Sequence, residues 1–224
     1  MPLDAIELAT APNPTATVIV LHGLGADGND FVPIVQQLDL RAAGAVRFVF
    51  PHAPVRPVTI NGGMSMRAWY DILGFDLARR EDEPGLRASL ADVEALIGRE
   101  KSRGVAASRI VLAGFSQGCA MALLTGLRHA ERLGGIAGLS GYLPLAARLA
   151  AERSGANHDV PIFLAHGRQD PVLAYDRGIA SRDALLALGY PVEWHDYAMA
   201  HSVCPQEVVD LGRWLGRVLA PAAA

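Results

Sequence analysis

Gly114-Phe115-Ser116-Gln117-Gly118 is the segment with the clearest chemical content. A serine hydroxyl is a weak nucleophile at neutral pH and needs a base within hydrogen-bond reach. The pattern G-x-S-x-G presents such a serine on a sharp turn when a strand leads in and a helix leads out. Here Ile110-Val111-Leu112-Ala113 precedes the turn, and the chain from Cys119 to Arg128 continues with helical character. Close approach of strand and helix leaves no room for a Cβ on either flank of Ser116, which accounts for the glycines. Cys119 lies outside the position that such a turn presents, so it is not expected to be the nucleophile.

The base must be a histidine whose tautomer is fixed by a carboxylate. In sites of this kind the acid and then the histidine follow the serine in the chain. Each is expected after the carboxyl end of a later strand, where open parallel sheets hold their ligands. Run 162–165 leads into His166-Gly167-Arg168-Gln169-Asp170-Pro171, and run 192–197 leads into Ala198-Met199-Ala200-His201-Ser202. Asp170 is therefore expected to orient and His201 to act as base. His129 and His158 lie at or beyond helix ends, and His195 lies inside a strand. His166 is the serious rival, but it precedes the only well-placed acid.

Acyl transfer also needs two N–H donors for the developing oxyanion. Gln117, at the start of the helix after the serine, supplies one. The other is expected from the glycine-rich turn His22-Gly23-Leu24-Gly25-Ala26-Asp27-Gly28, which follows run 17–21. That turn has neither the Gly-Lys-Ser/Thr of a phosphate loop nor dinucleotide spacing.

Those residues need a scaffold, and the pattern of elements describes one. Apolar or β-branched runs at 17–21, 46–50, 109–113, 136–139, 162–165 and 192–197 read as strands, with 6–8 a further edge strand. Helical stretches fall at 31–38, 118–128, 176–188 and 206–219. Another starts at Pro84, ends at Gly104, and has Leu86, Leu90, Val93 and Ile97 on one face. Strand-helix alternation predicts an α/β chain with a mostly parallel central sheet and helices on both faces. No linker or repeat divides the 224 residues, so a single domain over 1–224 is expected. The connection at about 51–84 is too long for a turn. It is apolar, with Met64, Met66, Trp69, Tyr70, Ile72, Leu73 and Phe75, and is expected to be a substrate-binding loop without regular structure.

Composition narrows the partners. With 51% hydrophobic residues, 19% charged residues and a net charge of −3, nucleic acid and anionic membrane are poor candidates. No apolar stretch reaches the ~20 residues of a membrane helix, so no stable membrane insertion is expected. The two cysteines, Cys119 and Cys204, are too few for a zinc site of their own and read as unpaired thiols. Without a signal-peptide pattern at the first residues, a cytoplasmic protein is expected. Neither metal nor organic cofactor is required by the chemistry. Apolar side chains of the long loop could support a weak homodimer.

The chain resembles the small carboxylesterases and acyl-protein thioesterases, the phospholipase/carboxylesterase family of α/β-hydrolases, over nearly its whole length. The resemblance rests on Leu21-His22-Gly23-Leu24-Gly25, Arg67-Ala68-Trp69-Tyr70-Asp71-Ile72, the Ser116 turn, Leu139-Ser140-Gly141-Tyr142-Leu143-Pro144, His166-Gly167 with Asp170-Pro171-Val172, and Met199-Ala200-His201-Ser202. It implies the Ser116, Asp170 and His201 triad and oxyanion donors at the backbone of Leu24 and Gln117. It also implies an acyl groove lined by Trp69, Ile72, Leu73, Tyr142 and Val172. Two departures stand out: Cys119 where a glycine is common, and Tyr142 where many relatives carry tryptophan. The implied activity is hydrolysis of a small acyl ester of short to medium chain. Acyl-protein thioester or lysophospholipid hydrolysis is the alternative, and a non-catalytic binding protein of the same fold is a more distant one. A peptidase or dienelactone-type hydrolase fits less well, because no peptide-subsite signal is present and serine stands where the latter carries cysteine.

Overall fold

The computed structural model describes residues 3–74 and 81–221. Its elements in chain order are β1 (Ala5–Ala9), β2 (Ala16–Leu21), α1 (Val32–Val35), β3 (Val46–Pro51), β4 (Val55–Val58), β5 (Met64–Arg67), α2 (Glu83–Ser102), β6 (Ile110–Phe115), α3 (Gln117–Gly126), β7 (Gly135–Leu139), α4 (Ala146–Glu152), β8 (Ile162–Gly167), α5 (Tyr175–Ala187), β9 (Val192–Tyr197) and α6 (Pro205–Val218). Seven strands form one sheet in the order β1-β3-β2-β6-β7-β8-β9. β1 is antiparallel to β3 and the other pairings are parallel.

β2, β6, β7 and β8 are buried at every position except Phe115 because helices cover both faces, which is why they read as apolar runs. Strand alternation divides β2 between two cores. Ile19 and Leu21 face the side packed by α2, α3, α4 and α5, whereas Val18 and Val20 face the side packed by α1 and α6. The carboxyl ends are aligned: Leu21 pairs with Gly114, Phe115 with Leu139, and Gly167 with Tyr197. His22, Ser116, Asp170 and His201 therefore emerge at the same edge. Among the described residues, no helix is long and apolar enough to cross a membrane.

Two local expectations are corrected. The helix expected at 31–38 is a single turn, α1, with Pro33 near its start and no side-chain cap. Its end tightens into bonds from Gln37 N–H to the Ile34 carbonyl and from Leu38 N–H to that of Val35. The segment at about 51–84 is not without regular structure: β4 and β5 form an antiparallel hairpin closed through Gly62 and Gly63, both in the left-handed region. Phe75 lies outside the described residues. α2 begins as Pro84 suggests, and Asp82 accepts the Gly85 N–H at 3.0 Å as its cap. The same carboxylate accepts Asp71 N–H at 2.8 Å, so the cap also anchors the end of the long connection.

α6 carries a buried carboxyl in its first turn. Burial lifts Glu207 to about 8 from an ordinary 4.5, opposed only by the Cys204 backbone amide. The folded chain thus holds a proton that the unfolded chain releases above its ordinary carboxyl pKa. This contribution leaves stability highest below pH 4.5 and lowers it as pH rises toward 8. Glu207→Gln is expected to remove that decline and to lead the parent by about 2 °C or more in Tm at pH 8. Melting curves from pH 5 to 8.5 check this; parallel pH slopes for parent and variant would contradict it.

Candidate active site

The turn after β6 holds Ser116 at φ 55 and ψ −114, a conformation that costs a non-glycine residue about 1–3 kcal/mol. Three contacts hold it there. Ser116 N–H donates to the Leu139 carbonyl at 2.9 Å, tying the turn to β7. A Cβ on Gly114 would overlap the Gly118 backbone, and one on Gly118 would overlap the Leu21 carbonyl. The glycines are required where the sequence placed them, and α3 starts directly against the end of β2.

Asp170 is held from both sides. Its Oδ1 accepts the N–H groups of Val172 and Leu173, each at 2.8 Å, and its Oδ2 lies 2.6 Å from His201 Nδ1. The carboxylate is acceptor-only, so Nδ1 carries the proton of the neutral ring and Nε2 is left as the basic nitrogen. The His201 ring packs against Phe115, centroids 4.8 Å apart, beside the Ser116 turn. Ser116 Oγ makes no hydrogen bond among the described residues; such bonds are often long in the resting state and tighten around substrate.

His166 occupies a different position from that of a base at Ser116. It lies within β8, whose alternation turns it to the face of Leu164, where α5 and its Gly178 pack against the ring. His166 Nε2 is 2.9 Å from the Leu173 carbonyl and 3.5 Å from Asp170 Oδ2. It supports the Asp170 turn from behind.

The backbone N–H groups of Leu24 and Gln117 have no acceptor among the described residues. Both residues border, with Ser116, a cavity of about 350 Å³. Ile72, Tyr142 and Val172 are part of its wall, together with Tyr70, Ile60 and Leu173. A larger groove, of about 940 Å³ between α6 and residues 37–42, contains none of these groups.

A model of the family described as Phospholipase/Carboxylesterase matches residues 4–219. The chain belongs to that family. It is 40% identical to acyl-protein thioesterase 1 of Yarrowia lipolytica over 96% of both chains. It is 44% identical to acyl-protein thioesterase 1 of Neurospora crassa, over 87% of this chain and 83% of that protein. Among solved structures, Arabidopsis thaliana SOBER1 superposes with a TM-score of 0.86 at 30% identity, covering 91% of this chain and 99% of its own. The phospholipase/carboxylesterase family is one of esterase and thioesterase hydrolases with the α/β-hydrolase fold, and this member is such a hydrolase.

In this family member two of the five expected groove residues stand elsewhere. Trp69 is fully buried and touches no part of the cavity. Its indole N–H instead donates to the His22 carbonyl at 2.9 Å. Leu73 is half-buried and is likewise absent from the cavity wall. Sequence reasoning left out Tyr70, Ile60 and Leu173 as wall residues. Leu173 had a signal, since an Asp-Pro turn at 170–171 brings the next apolar residues back toward the acid.

The unusual Cys119 is accommodated by small neighbours: a Cβ on Gly138 or Gly141 would strike it. Burial pushes its thiol up to about 12, so it stays protonated and unreactive at neutral pH. Burial likewise lowers His22. The neutral ring donates Nδ1–H to the Gly23 carbonyl at 2.7 Å, while Nε2 accepts the Ala53 N–H at 3.0 Å. Tyr142 and fully buried Tyr70 interact through their hydroxyls, and burial raises both. Among the described residues, no group of three or more His, Cys, Asp or Glu is placed to hold a metal ion.

Proposed function

We propose that Ser116, His201 and Asp170 form the catalytic triad, with the Leu24 and Gln117 N–H groups as the oxyanion hole. One observation carries the reading: a strained serine borders a cavity together with two unused N–H donors, and a carboxylate-oriented histidine packs on Phe115, the residue before that serine. Ser116 Oγ attacks the acyl carbon as His201 Nε2 takes its proton, and the oxyanion is held by the two N–H groups. His201 then returns the proton to the departing alcohol or thiol. Water, deprotonated by the same ring, releases the acid and restores the serine.

The substrate proposed is a carboxylic ester of short to medium acyl chain, supported by a cavity near the small end of ligand sites. The names of the relatives favour a second reading with the same groups, an acyl-cysteine thioester on a protein. A cytoplasmic location is part of the proposal, supported by two thiols that remain free. A weak homodimer through exposed Val55 and Met64 is also proposed, to be checked by sedimentation.

Initial rates on esters of graded chain length, run beside an acyl-cysteine peptide, test the substrate class. Each methylene buried in the cavity contributes up to ~0.8 kcal/mol, or about fourfold in kcat/KM, until the space is full. Ile72→Ala is expected to flatten that rise while leaving acetate ester hydrolysis within about twofold. Equal losses on both substrates with a lowered Tm would assign Ile72 to the fold instead.

A further inference from the structure

We propose that Trp69 is a positioning residue for the oxyanion hole, joining the loop that carries the Leu24 N–H to the turn that carries the Gln117 N–H. This rests on those two groups being the oxyanion donors. The need for such a joint follows from the backbone. The first donor sits between Gly23 and Gly25, the latter at φ 76, so its own loop has little stiffness. The second sits on the rigid start of α3. Displacement of a catalytic group by about 1 Å can cost on the order of 100-fold in rate, so the two must be registered against each other.

Trp69 contacts both sides. Its Nε1–H donates to the His22 carbonyl at 2.9 Å, and its backbone N–H donates to Gln117 Oε1 at 3.0 Å. Gln117 Nε2 in turn donates to the Tyr70 carbonyl at 2.9 Å, so the Gln117 side chain clamps the 69–70 backbone by both ends of its amide. Two residues earlier, the Arg67 carbonyl accepts Gly25 N–H at 2.9 Å, closing the far side of the loop. Ser89 Oγ, from α2, donates to the Trp69 carbonyl and seats the strut on the core. The indole is fully buried and is not part of the Ser116 cavity wall among the described residues, so it acts on that cavity through these bonds.

The test replaces Trp69 with 3-benzothienylalanine by nonsense suppression, which keeps the ring shape and removes only the N–H. Trp69→Phe is the encoded companion. Removing a whole oxyanion donor costs about 10²–10³ in kcat, so loosening one is expected to cost about 10- to 100-fold, with KM within about twofold. The Ki of an acyl trifluoromethyl ketone, which forms an oxyanion on the serine, should rise by the same factor. The Ki of the matching acyl amide should stay unchanged, and Tm should fall by no more than a few degrees. Unaltered kcat and ketone Ki in the benzothienyl variant would overturn the proposal, as would equal weakening of ketone and amide. The parent enzyme tests the underlying reading separately: a ketone that binds it no better than the amide would mean that the N–H pair itself is misassigned.

Discussion

Ser116→Ala is expected to lower kcat by about 10⁴–10⁶-fold, because the remaining site keeps only the residual rate of an oxyanion hole and substrate binding. Labelling by a fluorophosphonate should disappear with it. Folding should be preserved: alanine inherits the same φ of 55, and the bond from residue 116 N–H to the Leu139 carbonyl is independent of the side chain. Mass spectrometry of the labelled protein checks both points. Phosphonylation persisting at another serine in the variant would remove Ser116 from the mechanism.

The second large effect belongs to the histidine. His201→Ala should approach the Ser116→Ala loss, while Asp170→Asn should cost about 10⁴ by favouring the wrong tautomer. Combining either with Ser116→Ala should add almost nothing, since groups that act as one unit are not additive. His166→Ala sets the contrast. It removes a bond to the Leu173 carbonyl behind the Asp170 turn, so it should lower Tm clearly and kcat by about 100-fold at most. Steady-state rates and melts on the set discriminate between the two rings: a near-normal His201→Ala beside an inactive His166→Ala would reverse the assignment.

The places of Asp170 and His201 in the turns after β8 and β9 could be read from the sequence for different reasons: β8 is buried throughout and reads as an apolar run, whereas β9, half-buried at the sheet edge, reads through the strand-formers Val192, Trp194 and Tyr197. The Ser116 turn was legible for a related reason, as its glycines report a close approach that no other residue permits. Trp69 was not legible. Arg67-Ala68-Trp69-Tyr70-Asp71-Ile72 has aromatic residues side by side, and nothing local says which turns inward and which borders the cavity. The two are distinguished by the Gln117 amide and the His22 carbonyl, 48 and 47 residues distant in the chain. The β4–β5 hairpin escaped notice because its strands are four residues each, include Pro57, and are only partly buried, so the usual alternation is missing. His166 stood as a rival in the sequence because the apolar run at 162–165 stops short of it; β8 runs on to Gly167, and strand alternation then dictates its face.

The serine turn has a consequence for the life of the chain before it is an enzyme. Its left-handed residue is costly alone, and it is held in place only when β7 offers the Leu139 carbonyl and Gly118 lies against the end of β2. Those partners come from stretches separated by roughly a hundred residues of synthesis. A nascent or partly folded molecule therefore has no incentive to adopt the reactive geometry, and its serine is as inert as any other. With Ser116 as the proposed nucleophile, its geometry requires β2, β6 and β7 to be together first, so an incompletely folded chain is not an indiscriminate acyl-transfer reagent.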